Sequence, residues 1–261
     1  MGGPDRACPV CAGQSALRWD GYSSSSWDIV RCTNCDMSYL KNPVPYEALE
    51  EDFAWEKTYA AKAAASSGST PLSQGVRKLR TRLGILHRDK QQAFQRWFNN
   101  GHVLDVGCGS GQRLRPPLTP YGIELSKALH AQADTFMKAH GGYCAHGAGA
   151  DTIWQFPKGK FDGILMFSYL EHEVEVNKVL TGAYHALKDD GAVFIRVPNF
   201  GSLNRRLIGA KWCGFRLPDH VNYFTLKTLT DTCRRAGFST QLVNKISLPL
   251  DDNISVLLRK I

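Results

Sequence analysis

The chain has 261 residues, of which 43% are hydrophobic and 21% charged, and it carries a formal net charge of +8. This length allows one large α/β domain with a small appendage, and the hydrophobic fraction is ordinary for a soluble core. No run approaches 18 apolar residues, and the N-terminus lacks the apolar segment of a signal peptide, so we expect a cytoplasmic protein without membrane insertion.

Four cysteines near the N-terminus form two matched pairs, Cys8-Pro-Val-Cys11 and Cys32-Thr-Asn-Cys35. Each C-x2-C turn presents two thiolates to one ion, and two such turns supply the tetrahedral sulfur set that zinc prefers. A redox dithiol, the alternative, fits two matched pairs poorly. Forty residues cannot build much core, and a metal supplies what burial cannot. We therefore predict a zinc-ribbon domain at residues 1–40.

The other cysteines are isolated in the sequence and are interpreted as packing residues: Cys108, Cys144, Cys213 and Cys233.

Residues 41–98 are predicted to form a helical linker or lid. Two prolines, Pro43 and Pro45, separate it from the ribbon, and residues 46–65 are rich in Ala, Glu and Lys, which favours a helix. A Ser- and Gly-rich link follows at 66–71. From Leu72 onwards, apolar residues recur at helical spacing, which predicts a second helix leading towards Trp97.

Positive charge is concentrated in two stretches of the chain. Residues 72–98 hold seven basic residues and one acidic residue, and residues 203–235 hold seven basic and two acidic residues. A basic face can attract RNA or an anionic small substrate, but most such faces are only solvated. Charge therefore leaves the partner open.

A glycine-rich turn follows the first strongly apolar strand of the large domain. Val103 to Val106 is predicted as a buried strand, and the turn after it contains Gly107, Gly109 and Gly111. Glycines there let backbone N–H groups approach a ligand. Asp105 lies two residues before the first glycine, and a second strand ends at Glu124, whose carboxylate is suited to a ribose diol. The pair of motifs points to an adenosine ligand.

With a fourth strand opening at Phe161-Asp162 and a fifth preceded by Asp190-Gly191, the region from about Val103 to the C-terminus resembles the class I S-adenosylmethionine-dependent methyltransferases. The resemblance implies a doubly wound, Rossmann-like α/β fold with a seven-stranded sheet at residues 99–261. It implies S-adenosylmethionine as the cofactor, bound by these motifs: Asp105, Gly107, Gly109, Gly111 and Glu124. It also makes Asp151 a candidate for the adenine amino group, and Trp55 and Tyr59 candidates for a lid.

Leu170-Glu171-His172, at the exit of the fourth strand, resembles a motif of small-molecule methyltransferases. A substrate-covering insertion is expected near 199–224, where Leu217-Pro-Asp-His220 follows the fifth strand. Methyl transfer from a sulfonium needs an aligned nucleophile and no covalent enzyme intermediate, and a histidine base helps a hydroxyl or acidic carbon acceptor. His172 and His220 are therefore the candidate catalytic residues, although a lone histidine is more often structural.

The leading interpretation is methyl transfer to a small-molecule acceptor, such as a sugar, lipid-linked or natural-product intermediate, with an anionic acceptor as one option. The ribbon, the glycine turn and Pro198-Asn-Phe-Gly-Ser202 look like bacterial methyltransferases of the tailoring kind. The runner-up is an RNA base methyltransferase, because zinc ribbons precede this fold in rRNA-modifying enzymes. A third alternative is a binding module on a degenerate cofactor domain.

Overall fold

A computed structural model of the chain describes residues 2–44 and 90–261. The predicted helices at 46–65 and from Leu72, together with the lid candidates Trp55 and Tyr59, lie outside the described residues. The elements of the N-terminal part are three short strands: β1 (Ala16–Arg18), β2 (Ile29–Cys32) and β3 (Ser38–Leu40).

The large domain begins with a helix whose aromatic side chains pack against the sheet. Strands and helices then alternate along the chain. Its elements are α1 (Lys90–Trp97), β4 (His102–Val106), β5 (Thr119–Glu124), α2 (Lys127–Lys138), β6 (Cys144–His146), α3 (Gly149–Thr152), β7 (Phe161–Phe167), α4 (Val176–Ala186), β8 (Leu187–Pro198), α5 (Leu203–Ile208), β9 (Asn222–Tyr223), α6 (Leu226–Arg235), β10 (Phe238–Leu242) and β11 (Asn253–Lys260).

Seven of these strands form one mixed sheet in the order β10-β11-β8-β7-β4-β5-β6. The pairs from β8 to β6 are parallel, whereas β11 runs antiparallel to both β8 and β10. Helices flank this sheet, so its central strands are almost wholly buried, as in Val103, Leu104 and Ile164. The predicted Rossmann-like fold and the C-terminal edge hairpin are present.

The chain order reverses between β4 and its two neighbours, β5 and β7. Parallel strands on either side of such a reversal leave a crevice beyond their carboxyl ends, where ligands bind in open α/β sheets. The turns after these strands contain Gly107, Glu124 and Ser168, so the motifs singled out in the sequence meet at this crevice.

Local sequence explains several features of these elements. Between β4 and β5 the chain forms turns, and Pro116 and Pro117 there disfavour a helix. Gly142 lies before β6 and close to the Pro120 carbonyl, where an added Cβ would come within 1.7 Å. Ser126 caps α2, because its side chain accepts from the Leu129 amide.

The ribbon does not stand apart from the large domain. Its strand β3 pairs antiparallel with β9, and the sheet order β1-β2-β3-β9 joins residues 38–40 to residues 222–223. The Arg6 guanidinium reinforces this seam, donating to the carbonyls of Leu40, Val174 and Val221 at 3.0, 3.2 and 2.6 Å. The ribbon and the insertion after β8 are therefore one packed unit.

No helix among residues 2–44 and 90–261 is long and apolar enough to cross a membrane.

Candidate active site

The turn after β4 and the end of β5 are held together by one carboxylate. Glu124 accepts hydrogen bonds from the backbone amides of Gly109 at 2.8 Å and of Ser126 at 2.9 Å. Gly107, Gly109 and Gly111 all have positive φ, of 70°, 60° and 79°, a conformation that glycine adopts without steric cost. A side chain added at Gly109 would meet nothing within 4 Å, so the backbone there faces open space.

Asp105 lies behind this turn and not in the crevice. Its side chain is fully buried, and one carboxylate oxygen accepts from Arg113, whose guanidinium also stacks over the Phe167 ring. The other oxygen, Oδ1, has no hydrogen-bond partner among the described residues. Burial raises the pKa of Asp105 to about 6, and Arg113 opposes that rise. Asp105 is placed to anchor the glycine turn from below through Arg113.

Two other predicted cofactor residues are also outside the lining of the crevice. Gly111 packs against Ala133 and Met137 of α2, where a Cβ would approach both to about 3.0 Å. Asp151 is exposed on α3, and its carboxylate is paired with the Lys178 ammonium. Asp151 would have to leave this ion pair in order to reach an adenine ring.

The crevice opens into a cavity of about 870 Å³. One part of its wall comes from the ends of β4, β5 and β6 and includes Gly107, Gly109, Glu124 and Gly147. The other part comes from the loop after β7 and from the insertion after β8: Glu171, His172, Cys213, Gly214, Arg216, Asp219 and His220. Ligand pockets of single small molecules span about 300–1,000 Å³, so this cavity lies in the upper part of that range.

The loop after β7 is tightly constrained where it enters the cavity wall. Ser168 has φ of 54°, which is uncommon for a residue with a Cβ and clusters at functional sites. The next residue, Tyr169, is wedged between Gly107 and Gly149, where an added Cβ would come within 2.8 and 2.2 Å of its side chain. Its hydroxyl donates to the buried Glu173 carboxylate. These contacts hold the loop against the glycine turn.

The two predicted catalytic histidines lie together in the other part of the wall. Their ring centroids are 4.7 Å apart and the rings are nearly perpendicular, at 86°. The Nδ1 atom of His172 is 2.8 Å from the Asp219 carbonyl, and that of His220 is 2.8 Å from the Gly214 carbonyl. Carbonyl oxygens only accept, so both Nδ1 atoms carry the proton and both Nε2 atoms carry a lone pair.

Burial decides the charge of the groups around these histidines. It lowers the pKa of His172 and lowers that of His220 to about 3, while it raises the pKa of the adjacent Glu171 to about 8. Both imidazoles are therefore neutral at physiological pH. A neutral ring with so low a pKa takes a proton only weakly, which bears on its use as a general base.

Asn222 connects this region to the ribbon, and sequence reasoning did not single it out. Its amide donates to the carbonyls of Leu170 at 2.7 Å and Glu173 at 2.6 Å, while its Oδ1 accepts from Arg6 at 3.0 Å. The only sequence signal was its place in Asp219-His-Val-Asn222, two residues after a candidate catalytic histidine. The pairing that makes Asn222 important spans residues far apart in the chain.

Sequence reasoning also passed over two other groups in this domain. Glu171 belongs to the Leu-Glu-His motif, which does not by itself mark it as a site residue, yet it lines the cavity and is 1% exposed. Cys108 and Cys144 are isolated in the sequence, but their sulfur atoms lie 3.6 Å apart in a buried cluster with Ala133 and Met137. Their role in packing agrees with the interpretation made from the sequence.

The four ribbon cysteines converge at the base of the N-terminal strands. Their sulfur atoms lie within 4.8 Å of one another, with Cys8 and Cys35 at 3.5 Å and Cys11 and Cys32 at 3.5 Å. An ion bonded to four sulfurs at about 2.3 Å in a tetrahedron separates them by about 3.8 Å. The arrangement has the donor set and nearly the spacing of a four-thiolate metal centre.

Comparisons with known proteins agree with this geometry. The chain is 22% identical over 154 residues to the uncharacterized protein MJ1123 of Methanocaldococcus jannaschii, a match that covers 59% of this chain and 72% of that protein. The structure of a SAM-dependent methyltransferase from Archaeoglobus fulgidus superposes with a TM-score of 0.53 at 16% identity, covering 67% of this chain and 93% of that one. The PH0226 protein from Pyrococcus horikoshii OT3 gives a TM-score of 0.52 at 15% identity, over 70% and 91% of the two chains.

These superpositions show a shared fold, and a family model adds the assignment to a family. The model described as a methyltransferase domain matches residues 77–243, which is more than half of the chain. That range contains the glycine turn, Glu124, the loop after β7 and the insertion with His220. The chain therefore belongs to the methyltransferase-domain family, and it is an enzyme of that class.

Proposed function

We propose that the enzyme transfers the methyl group of S-adenosylmethionine to a small-molecule acceptor bound beside His172 and His220. The observation that supports this most directly is the two-part cavity. One part is walled by glycine backbone and Glu124, and the other by the insertion after β8. A volume of about 870 Å³ offers room for a cofactor and a small acceptor together.

The residues of the first part fit the cofactor. Gly109 faces open space, so its backbone can approach a ligand, and Glu124 ends β5 where a ribose diol can donate to a carboxylate. The bound cofactor supplies a methyl group activated by its sulfonium. In this proposal Gly107, Gly109 and Glu124 bind it directly, whereas Asp105 and Gly111 shape the turn from behind. Asp151 stays a prediction, since its carboxylate is exposed and paired.

The residues of the second part orient the acceptor and exclude water. The loop after β7 and the insertion close this side of the cavity, and the hydrogen bonds to the Asp219 and Gly214 carbonyls leave Nε2 as the basic atom of His172 and of His220. Either histidine is a candidate base, of the weak kind that a low pKa implies. Arg216 also lines this part of the cavity.

The contacts of the C-terminal basic stretch support a small acceptor over RNA. Arg205 donates to the Phe200 carbonyl and the Tyr22 hydroxyl and covers the Phe200 ring, so it packs the insertion onto the ribbon. Lys227 and Arg234 both pair with Asp231. Basic groups engaged in this way are less available to phosphates, although exposed ion pairs are weak.

We also propose that the four-thiolate cluster of the ribbon holds zinc, whose preference for a tetrahedral sulfur set matches the convergence of Cys8, Cys11, Cys32 and Cys35. On this proposal the chain divides into the ribbon at 1–40, the linker or lid at 41–98 and the methyltransferase domain at 99–261. The ribbon then serves the second part of the cavity, because β3 pairs with β9 directly after His220.

Replacing Glu124 with Ala tests the cofactor site. The change removes the acceptor for a ribose diol and for the Gly109 and Ser126 amides, so we expect affinity for S-adenosylhomocysteine to fall by about 1.5–3 kcal/mol, roughly 10- to 150-fold. Isothermal titration calorimetry measures this affinity in the parent and in the variant. The matched control is Asp189→Ala, which removes a carboxylate that is exposed at the far end of the molecule beside Lys260.

Unchanged affinity in Glu124→Ala, with the parent binding normally, would remove Glu124 from the cofactor site. A parent chain that binds a nicotinamide dinucleotide in place of S-adenosylhomocysteine would keep the fold and contradict the proposed chemistry.

A further inference from the structure

Three side chains on the acceptor side of the cavity bring metal-ligating atoms together. Glu171, His172 and His220 each offer one such atom, and these atoms lie within 4.8 Å of one another. Three ligands at about 2.1 Å from one tetrahedral ion lie about 3.4 Å apart, so movements of under about 1 Å by each ligand would complete the set. Two of the residues come from the loop after β7 and one from the insertion.

The hydrogen bonds of the histidines orient them as ligands. Each Nδ1–H donates to a backbone carbonyl, of Asp219 for His172 and of Gly214 for His220, both at 2.8 Å. Metal-ligating histidines characteristically donate their second ring N–H to a carbonyl or carboxylate, which fixes the tautomer and the ring direction. Here the same hydrogen bonds fix both rings and leave Nε2 as the ring atom that can bind an ion.

Glu171 contributes a buried carboxylate oxygen whose hydrogen-bonding capacity is not used by its neighbours in the described part of the chain. Its side chain is 1% exposed and lines the cavity, yet Oε2 has no hydrogen-bond partner among residues 2–44 and 90–261. Buried polar atoms are rarely left unsatisfied, and a bound ion is one of the recognised explanations. The Glu171 backbone is itself held, because its carbonyl accepts from the amides of Val221 at 2.7 Å and Asn222 at 3.0 Å.

We propose that Glu171, His172 and His220 bind one divalent transition-metal ion at the acceptor side of the cavity. Two imidazoles and one carboxylate suit Zn²⁺, Co²⁺, Fe²⁺ or Mn²⁺ better than Mg²⁺ or Ca²⁺, which favour oxygen ligands alone. Three protein ligands leave at least one coordination position open, and an acceptor oxygen can fill it. A histidine whose Nε2 binds the ion does not also act as the base. This role towards the acceptor rests on the proposed function, whereas ion binding itself does not.

Titration with Co²⁺ tests the site on the tag-free full chain with zinc already in the ribbon. Co²⁺ binds such sites less tightly than Zn²⁺, so the ribbon is expected to keep its zinc, which elemental analysis after the titration verifies. We expect calorimetry to show one Co²⁺ per chain, with a Kd at least 10-fold higher in Glu171→Gln and in His220→Ala.

The matched control is His140→Ala, which should bind Co²⁺ like the parent. His140 also donates Nδ1–H to a carbonyl, that of Phe136 at 2.7 Å. Among the described residues, however, His140 belongs to no group of side chains that could hold a metal ion. The parent chain gives a measurement free of substitutions: Co²⁺ should broaden the ring NMR signals of His172 and His220 and leave those of His140 sharp.

Absence of Co²⁺ binding, equal Kd values in the parent and both site variants, or sharp signals from His172 and His220 would each overturn the proposal. S-adenosylhomocysteine affinity, measured on the same samples, separates this result from the proposed function. Absence of Co²⁺ binding with normal cofactor affinity would contradict only the metal site. Normal Co²⁺ binding without cofactor binding would contradict only the proposed function.

Discussion

Replacing Cys32 with Ser is expected to remove one zinc per chain and to unfold the ribbon. Cys32 is fully buried, and the strands of the ribbon are only three or four residues long, so we expect a bound metal to contribute much of their stability. Structural zinc contributes apparent binding energies of about 10–16 kcal/mol at neutral pH in small zinc-binding peptides, and this energy is folding energy. Elemental analysis and limited proteolysis of residues 2–44 measure the two effects.

The matched control is Cys213→Ser, which removes an exposed thiol far from the four-sulfur cluster and should keep the zinc content of the parent. Zinc-free parent protein, or unchanged zinc content in Cys32→Ser, would contradict the four-thiolate site. Zinc loss with a fully protected ribbon would separate metal binding from ribbon folding.

The second large effect is expected from Arg6→Ala, which removes the clamp between the ribbon and the large domain. The Arg6 guanidinium donates to three backbone carbonyls and to the Asn222 side chain, and burial lowers its pKa to about 10, which leaves it charged at neutral pH. Hydrogen bonds from a charged donor contribute about 1.5–3 kcal/mol each, offset by the cost of burying the charge. We expect the free energy of unfolding to fall by about 2–4 kcal/mol.

Urea denaturation measures the total effect, and native-state hydrogen exchange locates it. The Leu40 amide, which donates to the Val221 carbonyl across the β3–β9 seam, should lose protection in Arg6→Ala. Arg31→Ala is the matched control, because Arg31 lies in the same ribbon but only forms an exposed pair with Asp36, and its midpoint should stay near that of the parent. Parental stability and Leu40 protection in Arg6→Ala would show that the seam holds without the clamp.

Weaker pairing between β3 and β9 is also expected to affect the proposed acceptor site. One residue separates His220 from β9, whose first residue is Asn222. The Asn222 amide donates to the carbonyls of Leu170 and Glu173, which flank Glu171 and His172 in the chain. Through these contacts the ribbon is connected to the insertion that lines the cavity.

The amino-acid sequence alone determined the features that depend on short stretches of chain. The spacing Cys8-x2-Cys11 and Cys32-x2-Cys35 predicted a cluster of thiolates, because two residues are enough to turn both side chains towards one point. The apolar strand before the glycine turn and the carboxylate at Glu124 carried the resemblance that implied the doubly wound sheet. In such a sheet the parallel strands place their carboxyl ends at one edge, where the crevice lies. The motifs themselves depend only on local periodicity and spacing.

Only the tertiary structure decided which distant residues meet. His220 joins Glu171 and His172 from nearly fifty residues away, and Tyr39 pairs with Asn222 across most of the chain. Local patterns do not determine such long-range pairing, because packing of complete elements sets it. The same packing turned Asp151 outwards to Lys178 and placed Asp105 behind the glycine turn, since a helix or strand presents each side chain according to the contacts of the whole element.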